Sequence, residues 1–275
     1  MKFNPLHGLK HFFSRDSERT LMKSVAITII SLAVFLAGWW ALSSIFPSAY
    51  FPSPYKVGVA LINSFENPDP NFGGLTMWDH MSQSLGRFLW GFVVAFVLAL
   101  PLGLLLGFSK VAENLGKPIV EIFRPIPPIA WAPFFFVIFG VFWGPILPVF
   151  LGVFFPVLSN VIFGVKSVDP LLLDVAKTQG ASKLALFRKV ILPSTIPYMM
   201  TGIRIGLGIG WMCIVAAEMI VAPGGGIGLY ISIMSLVGRW DYMFAGMVVI
   251  AILGILTAGL SGYIERRVSK WMGIK

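Results

Sequence analysis

Asp174 to Pro193 reads DVAKTQGASKLALFRKVILP, a polar, partly basic stretch set between long apolar runs. Val168-Asp169-Pro170 opens a helix just before it, with Asp169 as N-cap and Pro170 at the first helical position. Leu171, Leu172, Val175 and Ala176 then form an apolar face, and Gly180 permits a sharp reversal. Ser182 caps a second helical piece, Lys183 to Val190, and Pro193 starts a break before the next apolar run. A short helix of this kind, laid across the end of a membrane bundle, has few contacts within its own chain. Its exposed face makes sense if it fits a groove on another molecule.

The surroundings are those of a membrane protein. Of 275 residues, 57% are hydrophobic and 12% charged, against about 25% charged in soluble domains. So much apolar surface requires lipid as the solvent. The net charge of +9 would suggest nucleic acid in a soluble protein. Here the lysines and arginines are topology signals facing anionic lipid, and no nucleic-acid partner is expected. The single cysteine, Cys213, excludes a disulfide framework. His7, His11 and His80 give no metal constellation, and no paired carboxylates or nucleophile–base set supports catalysis. The glycine-rich piece from Pro223 to Gly228 lacks the Gly-Lys-Ser/Thr ending of a phosphate-binding loop and reads as a flexible turn. The chain is therefore expected to be no enzyme, with no catalytic residues, metal or cofactor of its own.

Six apolar stretches are long enough to span: 24–46, 85–107, 129–143, 145–165, 195–222 and 242–264. The first is too long for a cleaved signal and reads as a retained helix. The third and fourth are proline-interrupted and separated by Trp143-Gly144-Pro145, which predicts a tight hairpin. The fold class is thus all-α and polytopic, with one membrane domain over 1–275. Basic residues fix its orientation. Lys2, Lys10, Arg15, Arg19 and Lys23 precede the first span, and Lys110, Lys117 and Arg124 follow the second. Lys166, Lys177, Lys183, Arg188 and Lys189 follow the fourth, and Arg266, Arg267, Lys270 and Lys275 end the chain. With six spans these four segments share one side, while the other holds only Lys56, Arg87 and Arg239, near Glu66, Asp69, Asp79 and Asp241. The positive-inside rule makes both termini cytoplasmic, with a cytoplasmic segment at 1–23, an external one at 47–84 and a cytoplasmic hook at 166–194. The external segment contains VGVALINSF, read as a surface helix, and the turn-forming NPDPNFGG at 67–74.

The hook resembles a known motif. Asp174-Val175-Ala176, three residues, Gly180, nine residues, then Val190-Ile191-Leu192-Pro193 is similar to the "EAA" coupling motif of binding-protein-dependent ABC importer permeases. That motif has Glu, Ala and Ile where this chain has Asp174, Val175 and Val190; the spacing is intact. SLGRFLWGFVVAFVLALPLGLLLG at 84–107, RPIPPIAWAPFFFVIFG at 124–140 and GIRIGLGIGWMCIVAAEMI at 202–220 resemble the nitrate/sulfonate/taurine branch, and the likeness covers most of residues 50–265. The resemblance implies a type I ABC importer permease fold in a prokaryotic cytoplasmic membrane. It implies a dimer of permease chains, here a homodimer, with two cytoplasmic ATPase subunits that bind the ATP and an external solute-binding protein. It assigns ATPase coupling to Asp174, Val175, Ala176, Gly180, Ala181, Leu192 and Pro193. The branch carries nitrate, bicarbonate, sulfonates, taurine and pyrimidine vitamin precursors. An autonomous secondary transporter or channel is the rival reading; no inverted repeat supports it.

The fifth span carries two ionisable residues, Arg204 and Glu218, in apolar sequence. Each costs a few kcal/mol in hydrocarbon unless it faces an interior or a wet cavity. Arg204, Trp211 and Glu218 are spaced by seven and share a face, whereas Gly202, Gly206, Gly210, Cys213 and Ala217 form a small-residue stripe opposite. The first three are expected to line the translocation pathway. Arg204 and Glu218, roughly 21 Å apart along a straight helix, are not a direct ion pair. Arg87 and Arg124, near span ends, are expected to have structural roles.

Overall fold

A computed structural model describes residues 5–46, 50–220 and 224–271. Lys2, Pro223 and Lys275 lie outside them. The described chain is helical almost throughout: α1 Pro5–Ile45, α2 Pro54–Glu66, α3 Met77–Phe108, α4 Lys110–Phe123, α5 Ala132–Trp143, α6 Ile146–Lys166, α7 Pro170–Thr178, α8 Lys183–Leu186, α9 Leu192–Ile220, α10 Ile227–Leu236 and α11 Trp240–Trp271. Five unbroken stretches are long and apolar enough to cross a membrane, and a sixth exists if the bent pair α4 and Pro128–Trp143 is counted as one.

α6 lies between α3 and α9, and small residues let it sit close to both. A methyl group on Gly91 of α3 would fall 2.7 Å from the Val149 Cβ, and one on Gly202 of α9 would fall 3.0 Å from the Val157 Cα. The predicted stripe of Gly202, Gly206, Gly210, Cys213 and Ala217 is buried, and Gly152 of α6 faces the Cys213 Sγ. In lipid there is little hydrophobic drive for helices to associate, so backbone approach and van der Waals contact do the work. Val149, Val153, Val157 and Val161 of α6 are fully enclosed.

The described part of the segment between α1 and α3 is ordered onto this bundle. Ser53 caps α2, which buries Val57 and Ala60 against Ala245 of α11. α3 begins at Met77 rather than near 85, because the Asp79 carboxylate accepts both the Thr76 N–H (2.8 Å) and the Thr76 hydroxyl (2.7 Å). At 32 residues, α3 is about 48 Å long and extends beyond the hydrocarbon.

Two expectations are corrected. The third span is not a single helix over 129–143. The segment carrying Lys110 and Lys117 is itself helical (α4), and the chain bends by 82° before continuing through Pro128–Trp143. Arg124-Pro125-Ile126-Pro127-Pro128 causes the bend: prolines disfavour helix in the residues before them and remove backbone donors. Nor does Pro193 break the chain, which runs helically from Lys183 to Ile220. A π-helical turn over Phe187–Ile191 carries it, with the Leu192 N–H donating to the Phe187 carbonyl. The wider turn gives the Pro193 ring room that an α-helical turn would deny it.

The close packing makes a stability prediction. Gly202→Ala should destabilise the detergent-solubilised chain by about 1–3 kcal/mol, the usual cost of overpacking, and lower its thermal midpoint. Gly254→Ala in α11, where no heavy atom lies within 4 Å of the added methyl, should leave the midpoint unchanged or slightly raised.

Candidate functional site

The hook forms as its residues dictate. The Asp169 carboxylate accepts the Leu171 N–H (2.9 Å) and Pro170 opens α7. The helix stops at Gly180, whose φ is +77°. The Gly180 N–H donates to the Lys177 carbonyl (2.9 Å) and the Ala181 N–H to the Ala176 carbonyl (3.0 Å). Those two bonds are a Schellman motif, so Ala176, Gly180 and Ala181 are spaced as the backbone geometry of this stop requires. Ser182 then caps α8 by accepting the Ala185 N–H at 3.2 Å. The inner side of α7 is Leu173, packed near Val165, Val168 and Ile191, together with half-buried Ala176. Leu171, Leu172 and Val175, expected on one apolar face with Ala176, instead point outward at 67%, 52% and 46% exposure. Asp174 pairs with Lys177 at 3.0 Å on the surface. Leu192 and Pro193 lie beyond the π-helical turn, in the first turn of α9.

At the opposite end of the bundle is a buried polar cluster. Glu218 of α9 is fully enclosed. Its carboxylate accepts the Arg87 guanidinium at 2.8 Å, the Ser84 hydroxyl at 2.8 and 3.0 Å, and the Gly228 N–H at 3.0 Å. Arg87 also donates to the Gly225 carbonyl (2.7 Å), and Ser84 accepts the Ile227 N–H (2.8 Å). The Gly226 N–H donates to Nδ1 of His80 at 3.0 Å. The Gly226 carbonyl lies 3.1 Å from the same Nδ1, so Gly226 faces this ring nitrogen with both its N–H and its carbonyl. The Pro223–Gly228 piece is therefore no loose turn over its described part. Gly224, Gly225 and Gly226 have φ of +92°, +130° and +131°, and the loop is pinned to α3 and α9 at successive residues.

Of the three residues expected on the pathway, Arg204 is exposed and forms an ion pair with Glu265 of α11. Trp211 is buried, stacked on Phe88 (centroids 4.5 Å apart), and donates its indole N–H to the Thr257 hydroxyl at 3.0 Å. The structure thus gives the three different partners: Arg204 reaches α11, Trp211 bridges α3 and α11, and Glu218 reaches α3. The Arg87–Glu218 pair was not read from the sequence. The sequence carries one half of it, since His80, Ser84 and Arg87 fall at i, i+4 and i+7 on one face of α3, but nothing in that spacing points to Glu218. No cluster of metal-ligating residues occurs among the described residues.

This arrangement of helices recurs in known proteins. Residues 99–270 match the family described as binding-protein-dependent transport system inner membrane component, and the chain belongs to it. It is 34% identical over 257 residues to the taurine transport system permease protein TauC of Escherichia coli, covering 92% of each chain. It is 30% identical over 253 residues to the nitrate import permease protein NrtB of a Synechocystis species, covering 86% of this chain and 84% of that one. Its fold resembles a chain of the MetNI methionine ABC transporter in inward-facing form, with TM-score 0.59, 23% identity, and 70% of this chain and 97% of that chain covered. The protein is an ABC permease of the nitrate/sulfonate/taurine branch, all-α, polytopic and resident in the inner membrane.

The buried pair predicts a non-additive mutational response. Arg87→Met alone should destabilise by about 3–5 kcal/mol, because it strands a buried carboxylate. Adding Glu218→Gln should recover much of that loss in thermal unfolding, and two additive losses would refute the coupling.

Proposed function

We propose that this chain is the membrane-spanning permease of an ATP-driven importer for a small anion of the taurine or nitrate kind, and that α7 with α8 is its contact with a separate ATPase. The observation that carries this is the hook. A helix with exposed leucines, stopped by a Schellman turn at Gly180, coincides with the coupling signature of the family to which the chain belongs. Burying Leu171, Leu172 and Val175 in a partner groove would recover the apolar free energy they forgo in water, about 1.5–3 kcal/mol for each side chain fully buried. On this reading the hook and both termini are cytoplasmic, in accord with the lysines and arginines at that end. The polar cluster around Glu218 and the segment 50–76 are external, where a solute-binding protein delivers its cargo. ATP is bound and hydrolysed by the partner, and closure of two ATPases moves two hooks. One hook per chain favours a homodimer. Alternating access then follows from α9, which continues the hook through the π-helical turn into the bundle.

The pathway assignment takes a narrower form. Trp211 and Glu218 hold the protomer together, and Arg204, compensated by Glu265, ties α9 to α11; none of the three is needed as a solute contact.

Reconstitution tests the coupling role. Gly180→Val forces a branched side chain into a left-handed backbone, although no heavy atom lies within 4 Å of its Cβ position. The variant should insert and fold normally, while ATP-dependent uptake of taurine or nitrate falls at least tenfold. Leu172→Glu should weaken co-purification of the ATPase subunit. Normal uptake by the Gly180→Val complex would remove the hook from the coupling path. Cross-linking that finds only single permease chains in the active complex would remove the dimer.

A further inference from the structure

The break in the bent span places Arg124 at the junction of two cavities. One, of about 250 Å³, opens among α4 and the end of α6 that carries Lys166. Its charged lining is Glu113, Lys117, Glu121, Lys166 and Arg124. Both carboxylates are already engaged: Glu113 pairs with Lys166, and Glu121 with Lys117 at 3.7 Å. Three cations face two carboxylates, and Arg124 is the one left over. It forms no ion pair among the described residues.

The second cavity, of about 270 Å³, lies against α6 and α9. Phe155, Ile205 and Ile209 supply apolar walls, and the polar side chains are Arg124, Ser159 and Asn160. Arg124 and Ser159 belong to both cavities, so together they stand at the passage between them. No hydrogen-bond partner of the Ser159 hydroxyl occurs among the described residues. The Asn160 amide gives one N–H to the Pro156 carbonyl at 2.8 Å and has a second to offer. No carboxylate lines this cavity. Its volume falls just short of the about 300–1,000 Å³ of drug-sized ligand sites and suits a small solute.

We propose that Arg124, with Ser159 and Asn160, is the anion contact of the translocation pathway: a guanidinium and two neutral donors that take a nitrate or sulfonate group as it passes from the apolar cavity to the basic one. The guanidinium fork matches a planar or tetrahedral oxyanion. Lys117 and Lys166 continue the positive lining toward the end that the permease reading places in the cytoplasm. Each is held by a carboxylate, so beyond Arg124 the lining adds no net charge and the anion is released rather than trapped there. Arg124 thereby takes the part that sequence spacing gave to Arg204. This inference rests on the permease reading, and its test is separable from it.

Cys213 is the chain's single cysteine, so Cys213→Ala gives a cysteine-free background into which Ser159→Cys can be placed. In the assembled permease–ATPase complex, the thiol is labelled with 2-sulfonatoethyl methanethiosulfonate and with its trimethylammonium-ethyl counterpart. The anionic reagent should react faster, relative to free thiol in solution. Arg124→Gln should lower the anion-to-cation rate ratio by at least about tenfold, the factor expected of one unit charge ~6 Å away under water-like screening, since it acts on the two reagents in opposite senses. Arg124→Lys should keep most of the ratio. A ratio unmoved by Arg124→Gln, or no labelling at position 159 in any nucleotide state, overturns the anion contact. If the ATPase still co-purifies and hydrolyses ATP in that event, the permease reading stands and only this site is lost. Failure of the parental chain to bind an ATPase overturns both.

Discussion

α6 must lie against α3 and α9 at a separation that leaves no room for a methyl group. Gly91, Gly103 and Gly107 meet Val149, Val161 and Val165 along one seam, and Gly202 and Gly206 meet Val157 and Val153 along the other. Because lipid surrounds the bundle, burying a valine there gains little over leaving it in hydrocarbon, and the contacts hold through fit. Fit is specific. A shift of one turn would set Val149 against Phe88 or Ala95 in place of Gly91. The seams therefore fix the register of three helices, and that register brings Ser84 and Arg87 of α3 to the depth of Glu218 on α9.

The charges divide by what compensates them. Glu218 is enclosed and holds Arg87, Ser84 and a backbone N–H, which is the condition under which a buried carboxylate is tolerable. Its bonds are spent on the Gly225–Gly228 backbone, so this ion pair is also the anchor of a loop. Glu265 answers Arg204, and Glu113 answers Lys166. Arg124, by contrast with its cavity neighbours Lys117 and Lys166, pairs with no carboxylate among the described residues. Arg124 sits at the 82° bend of the span and lines a cavity on each side of it.

The hook was legible because its information is local. Asp169, Gly180 and Ser182 each specify a cap or a stop within a few residues, and the structure shows all three doing so. The small-residue stripe on α9 was legible for the same reason: helical periodicity sorts one face from another. Glu218 was flagged as an expensive residue in lipid, but its partner was not, since Arg87 is 131 residues away and nothing in one sequence pairs them. The bent span is hidden in the sequence because Lys110 and Lys117 of α4, and Arg124 at its end, mark a segment as solvent-facing. Those charges are instead spread around a helix whose Val111, Leu115, Ile119 and Ile122 form an exposed apolar edge. Pro193 was read as a break because proline usually is one; the π-helical turn that absorbs it depends on geometry no propensity encodes.

That turn has a mechanical consequence under the proposed function. Had Pro193 broken the chain, the hook would hang from α9 by a flexible joint, and movement of an ATPase would be lost in it. The continuous helix from Lys183 to Ile220 makes a lever instead. Its far end carries Glu218, which grips both α3 and the glycine-rich loop. Its middle carries Ile205 and Ile209, which wall the cavity beside Arg124. On that reading a rotation imposed at α8 reaches the cavity beside Arg124 and the glycine-rich loop along one continuous helix. The residue between lever and hook most able to decouple them is Gly180, where the backbone conformation is one that a side chain opposes.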